Sequence, residues 1–516
     1  MFIKITFMVL FFAMMIGVGI YSKKKANSVS NFVLGGNTAG PWLTAFSYGT
    51  SYFSAVIFVG YAGQFGWKFG LASTWIGIGN AFIGSLLAWV ILGRRTRIMS
   101  NHLGAATMPN FFGKRYDSKA LRIGASIIAF VFLIPYTASV YNGLSRLFEM
   151  AFGIPYEICI LVMAALTGVY VILGGYMATT INDFIQGIIM LFGIVAVVVA
   201  VINGKGGFYE ALTGLSAIPA DETAAVQAQG VYNSFFGADP LNLLSVIILT
   251  SLGTWGLPQM VHKFYAIKNE KSVKTGAIVS TAFAIIVAGG CYFLGGFGRL
   301  FSDADIYTET GAVSFDSIIP AMLSSLPDIL IGIVVVLVLS ASMSTLSSLV
   351  LTSASTITLD IVKGNIIKKM SEKKQLVCLR IFVVFFVALS VVIAWFKNNF
   401  IAQLMGISWG ALAGAFLAPF LYGLYSKKVT KAAVWASFVS GVGITVSNLI
   451  FNYLPSPIVA GALAMIAGLI VVPVVSLITP KMDESKLTEI FNCYSKVVQV
   501  EKKMYLEDDE DKPKED

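Results

Sequence analysis

An all-α membrane protein of thirteen transmembrane helices is the fold class this sequence predicts, and three observations lead there. Of 516 residues, 57% are hydrophobic and only 12% charged, a balance that belongs to a polytopic membrane protein and not to a large soluble core. Apolar runs long enough to cross a bilayer recur along the chain. Two of those runs are interrupted near their middle by Gly, Pro and hydroxyl residues, as expected where a helix unwinds around a polar guest.

The runs fall at about 2–22, 42–63, 72–93, 123–150, 156–176, 183–203, 242–262, 274–297, 328–357, 378–396, 400–424, 430–451 and 457–479. The first lies between Lys4 and Lys23-Lys24-Lys25 and has no small-residue cleavage motif, so it is predicted as a retained helix. The second, Ser47-Tyr-Gly-Thr-Ser-Tyr-Phe-Ser54 followed by Val56 to Gly63, carries a polar cluster at its centre. Asp183 stands at the expected start of the sixth run, where Asp, Asn and Thr serve as helix caps; cap and cation ligand fit it equally. The seventh, Thr250-Ser-Leu-Gly-Thr-Trp-Gly-Leu-Pro-Gln259, is predicted to break at Gly253, Gly256 and Pro258.

In the ninth run Ala341, Ser344, Thr345 and Ser348 recur at i, i+3, i+4 and i+7 and share one face. Small polar residues there suit close helix approach, each hydroxyl bonding a carbonyl one turn back. That face could also bind a small hard cation, which prefers oxygen ligands, though taken alone the packing explanation leads. With the first run set aside, runs two to six and seven to eleven form two groups of five, each opening on a broken helix: the pattern of an inverted five-plus-five repeat, with cores at about 42–203 and 242–424. A single transmembrane domain then covers 1–480, and the acidic end, Glu507 to Asp516, belongs to a charged tail over 481–516.

Orientation follows from the basic residues. Lys23 to Lys25, Arg94 to Arg97, His262 to Lys274, Lys363 to Lys374 and Lys427 to Lys431 fall on one side of a thirteen-run chain, which is the cytoplasm; the opposite loops hold Glu210, Asp221, Glu222, Asp239, Asp303, Asp305, Glu309 and Asp316 against Lys205 and Arg299. The N-terminus is expected outside and the C-terminus inside, in the plasma membrane, and the net charge of +9 reflects topology and not nucleic-acid binding.

Other chemistries lack their residues. Cys159, Cys291, Cys378 and Cys493 have no metal-ligand spacing, and His102 and His262 lie in or beside expected cytoplasmic loops. No Gly-x-x-x-x-Gly-Lys-Ser/Thr loop is present to hold a nucleotide, and no nucleophile and base stand at compatible depths. The polar residues cluster at one depth, unlike a channel lining. A sensor on this fold is expected to carry an output domain, and none is expected after the last run.

Phe32-Val-Leu-Gly-Gly-Asn-Thr-Ala-Gly-Pro-Trp-Leu-Thr-Ala-Phe-Ser47, then Gly174-Gly-Tyr-Met-Ala-Thr-Thr-Ile-Asn-Asp-Phe-Ile-Gln186, then Ser342-Met-Ser-Thr-Leu-Ser-Ser348 with Thr356-Ile-Thr-Leu-Asp360, resemble in order the sodium:solute symporter family, most nearly its sodium/proline branch. The resemblance implies the thirteen-helix inverted-repeat fold and import of a small organic solute on the inward Na⁺ gradient, with Na⁺ as coupling ion, no cofactor and no obligatory protein partner beyond membrane lipid. It implies a main sodium site made by the hydroxyls of Ser344 and Thr345 and the carbonyls of Thr50, Phe53 and Ala341. A second sodium, nearer the cytoplasm, would use Asp183, Ser344, Ser347 and Ser348. By fold analogy the solute pocket would be lined by Ser51, Ser54, Val56, Tyr136, Ser139, Trp255 and Gln259, although Tyr136 and Trp255 fit a packing role as well. Proline or a related amino acid is the expected solute, with a monocarboxylate or another organic anion such as pantothenate or sialic acid as the alternative. Proline symporters resembling this chain have Asp where it has Tyr52 and Trp where it has Val56.

Overall fold

The apolar runs fold as helices whose ends and breaks lie where local chemistry puts them. A computed structural model describes residues 2–495 apart from 24, 25, 223, 303–305, 309, 310, 368 and 397–400. Its long helices are α1 (Phe2–Lys23), α2 (Pro41–Tyr52), α3 (56–69), α4 (74–103), α5 (Lys119–Phe152), α6 (Tyr156–Asn203) and α7 (Pro240–Gly256). They continue as α8 (Pro258–Tyr265), α9 (Lys271–Gly295), α10 (Asp328–Thr356), α11 (Glu372–Trp395), α12 (Ile401–Tyr425), α13 (Lys431–Phe451) and α14 (Pro457–Ile478). Ser118, Asp239, Thr430 and Ser456 cap α5, α7, α13 and α14, each side chain accepting the N–H three residues on.

Both predicted breaks are present. Between α2 and α3 the chain is extended at Phe53 (φ −92°, ψ 126°). Between α7 and α8 it is extended at Leu257, the two helices bending by 44°, with Pro258 opening α8 where its missing N–H costs nothing.

The continuous apolar helices are fewer than the thirteen expected runs. Among the described residues ten helices are long and apolar enough to cross a membrane, or eleven with α7 and α8 taken as one bent span. Two pairs of expected runs have fused: 56–103 is near-continuous, and α6 runs through 48 residues. Residues 177–182, expected as a polar loop, are helical, and the hydroxyls of Thr179 and Thr180 are satisfied within the helix by donating to the Tyr176 carbonyl at 2.8 and 2.9 Å. The break in α6 lies earlier, at Gly175 (φ 54°, ψ −147°), a conformation L side chains avoid, and a Cβ there would lie 2.7 Å from the Phe32 carbonyl oxygen. Asp183 is therefore interior to α6 and caps nothing.

Two further expectations change. His262 and Lys263, read as the start of a cytoplasmic loop, are buried in α8. Residues 484–495 form a helix held on the bundle by the Tyr494 hydroxyl, which donates to the carbonyls of Arg95 (3.3 Å) and Leu424 (3.2 Å), and by a 2.6 Å Lys486–Asp117 ion pair. The acidic end from 496 onward, and Asp303, Asp305 and Glu309, lie outside the described residues.

α10 is buried through its C-terminal half and packs on α2, α5 and α6, while α9 crosses α3 at backbone distance. A Cβ on Gly66 would fall 2.0 Å from the backbone oxygen of Gly295, and one on Gly295 2.0 Å from that of Ala62. Alanine at either position forces the helices apart, and the thermal midpoint of the purified protein in detergent is expected to fall by the equivalent of about 1–3 kcal/mol or more. An unchanged midpoint in Gly66→Ala and Gly295→Ala would show that the crossing is looser.

Candidate functional site

The break in α2 generates the site. Carbonyls in the last turn of a helix have no intrahelical donor, and the C-terminal end of α2 presents the negative pole of its dipole. α10 meets that end with hydroxyls. Thr345 Oγ1 lies 3.0 Å from the Phe53 carbonyl and 3.2 Å from that of Ala341, and the Ser344 hydroxyl donates to Thr50 Oγ1 at 2.8 Å. All five residues expected for the main cation site thus come together, Thr50 meeting α10 through its hydroxyl. α10 also supports the restart of the broken helix, since Ser342 Oγ accepts the Ala55 N–H at 3.2 Å and Ser54 Oγ accepts that of Val56 at 3.2 Å. The donor set is neutral oxygen on fully buried residues, which fits a hard monovalent cation whose charge is met by dipoles.

One turn further along α10, about 6 Å at 1.5 Å per residue, the second expected site has a different content. Lys263 of α8 points its ammonium into it, 2.7 Å from Ser47 Oγ, 3.1 Å from Ser348 Oγ and 3.5 Å from Asp183 Oδ2. Ser47 bridges the pair by donating to Asp183 Oδ2 at 2.5 Å, and the Tyr176 ring covers the ammonium at 5.4 Å. Side-chain exposure is 2% for Lys263 and 0% for Asp183. Asp183 Oδ1 has no hydrogen-bond partner among the described residues. Ser347 takes no part, since its hydroxyl donates to the Ser344 carbonyl on its own helix at 2.9 Å. Two unit charges of like sign about 4 Å apart repel by about 4 kcal/mol at an effective dielectric of 20, so one carboxylate in this space favours one cation over two.

The residues expected to line a solute pocket divide. Ser51 belongs to the lysine cluster, its hydroxyl 2.8 Å from that of Ser348 and 2.6 Å from the Ser47 carbonyl. Trp255 is anchored to α4, its indole N–H donating to the Ile83 carbonyl at 2.9 Å, because α7 lies against α4. The Ser139 hydroxyl donates to the Tyr136 carbonyl of its own helix at 2.7 Å. Ser54 is buried just ahead of α3, accepting the N–H of Val56, the buried first residue of that helix. Tyr136 lies beside Ser54 and packs edge-on against Trp409 of α12, and Tyr52 meets the same indole, both rings at 5.8 Å between centroids. The hydroxyls of Tyr52 and Tyr136, the Trp409 N–H and the Gln259 amide are buried with no satisfying partner among the described residues. Each such orphan costs about 1–3 kcal/mol, so a group able to bond several of them would be held strongly.

Sequence reasoning missed Lys263, Ser47 and Trp409. The available signal for Lys263 was its place five residues after Pro258, on the half-helix that follows the predicted break.

The model of the sodium:solute symporter family matches residues 32–441. An osmoregulated proline transporter of Bacillus subtilis strain 168 is 28% identical over 476 residues, 90% of this chain and 93% of its own length. A sodium/proline symporter of Staphylococcus aureus strain JH9 is 30% identical over 449 residues, 84% of each chain. The solved structure of a Na⁺-coupled sialic acid symporter, in a substrate-bound outward-open state, aligns with a TM-score of 0.74 at 17% identity, covering 94% of this chain and 99% of that one, a likeness of fold. The matched tracts span both broken helices and the hydroxyl face of α10, and on that extent of agreement the chain belongs to the sodium:solute symporter family.

Proposed function

We propose that this protein is a Na⁺-coupled importer of proline or a closely related amino acid in a bacterial plasma membrane, crossing it thirteen times with its N-terminus outside. The carrying observation is the five-residue oxygen cluster between the end of α2 and α10. Sodium at Thr50, Phe53, Ala341, Ser344 and Thr345 would tie the loose end of α2 to α10 and raise the population of the solute-binding state. Proline is favoured by relatives named as proline transporters and by the Tyr52, Tyr136 and Trp409 rings, whose unpartnered donors suit a carboxylate beside an apolar ring. Ser54, Val56, Ser139 and Gln259 remain candidates for the rest of the lining, whereas Ser51 and Trp255 are engaged elsewhere.

The topology rests on length and dihedral angles. α6 would be about 72 Å long at 1.5 Å per residue, more than twice a bilayer core of about 30 Å, so a return at Gly175 makes two crossings of it. A second return at Gly70 (φ 63°) and one crossing for α7 with α8 give thirteen and two inverted groups of five. Outward-facing Phe192, Val439, Ile450 and Leu477 suit contact with lipid.

The test is uptake of radiolabelled proline by proteoliposomes under an inward Na⁺ gradient and with K⁺ in its place. Accumulation only with Na⁺ is expected, and Tyr136→Phe should raise the half-saturating proline concentration by about tenfold, the worth of about 1.4 kcal/mol. If proline is not carried while Na⁺ still raises the thermal midpoint, the ion site stands and the solute is to be sought among carboxylates.

A further inference from the structure

We propose that the Lys263 ammonium is a built-in cation that takes the place the resemblance gives to a second sodium, so that this chain binds a single Na⁺ per cycle. This rests on the sodium-coupled reading above and adds a stoichiometry to it.

The observations are geometric. The ammonium sits among oxygens of three separate helices: Ser47 on α2, Asp183 on α6 and Ser348 on α10. Two of them, Asp183 and Ser348, belong to the set expected for a second sodium, and the carboxylate supplies one negative charge for whatever lies against it. A lysine is tethered, so its effective concentration there does not depend on the salt outside. Adding Na⁺ beside it would set two cations against one carboxylate in a space closed to water on every described side. The tether also has a direction. α8 is the half-helix beyond the Leu257 hinge, so any change in the bend between α7 and α8 withdraws or inserts the ammonium. The second cation of the cycle would thus be moved by the protein and never released.

Equilibrium binding of radioactive ²²Na⁺ to the purified full chain in detergent tests this without knowledge of the solute. One Na⁺ per wild-type chain is expected, two in Lys263→Ala, which vacates the position, and one in Lys263→Arg, which keeps it filled. Two in the wild type, or one in a folded Lys263→Ala, overturns the inference and leaves sodium coupling standing. No binding in the wild type would instead remove the sodium-coupled reading and the inference with it. Should Lys263→Ala not fold, Lys263→Ser offers a small polar replacement, and the wild-type count still decides against the proposal if it is two.

Discussion

Replacing Ser344 and Thr345 together by alanine is expected to raise the Na⁺ concentration for half-maximal uptake by about 30- to 150-fold. Each hydroxyl contributes a hydrogen-bonding oxygen worth about 1–1.5 kcal/mol, and two such losses, about 2–3 kcal/mol, convert to that range. The loss is tied to this pair because Ser344 meets the Thr50 hydroxyl and Thr345 meets the Phe53 carbonyl, two of the points at which α10 holds the open end of α2. Reciprocity requires solute binding to weaken as well when measured at fixed Na⁺, because ion and solute are coupled through the same break. Ser355→Ala is the control: its hydroxyl donates only to the Leu351 carbonyl of its own helix, so Na⁺ dependence should not move. Wild-type sodium dependence in the double variant would place the main site elsewhere.

The second large effect is on stability. Lys263→Met in potassium buffer, without Na⁺, leaves the Asp183 carboxyl without its cation in the core and is expected to cost about 3–5 kcal/mol. Adding Asp183→Asn to that variant removes the uncompensated charge and should recover most of the loss, because a neutral pair of similar volume carries no buried charge to satisfy. Thermal midpoints of the two single variants and the double variant form a cycle that isolates the coupling. If the double variant is no better than Lys263→Met, the carboxylate is not what the lysine stabilises. Ser47 strengthens the link, since its hydroxyl accepts a hydrogen bond from Lys263 at 2.7 Å and donates one to Asp183 at 2.5 Å. The direct ion-pair distance of 3.5 Å alone understates the link.

The hydroxyl face of α10 shows how far local reading carries. Its i, i+3, i+4, i+7 spacing is visible in the sequence, and the residues on it meet a neighbouring helix: Ser344 and Ser348 reach across to α2, while Ser347, off that face, bonds back along its own helix. Spacing assigns a face but not a partner. Trp255 and Ser51 illustrate the cost of that gap, for each lies on a broken helix near the expected pocket and each is turned to a different neighbour. Asp183 reads as a helix cap because the stretch before it is polar, whereas in α6 that stretch is helical with its threonine hydroxyls bonded back to Tyr176.

What the sequence determined by itself was whatever depends on neighbours along the chain. Apolar length set the spans, Pro258 and the polar stretch before Val56 set the two interruptions, and the period of the serines set a common face. The tertiary structure decided where charge could be buried. Lys263 reads locally as the first residue of a basic loop, and it is inside the molecule because Asp183, 80 positions away, and Ser348, 85 positions away, are brought to its ammonium. A buried charge is stable only with its partner, and the partner's position is a property of packed helices and not of either segment alone.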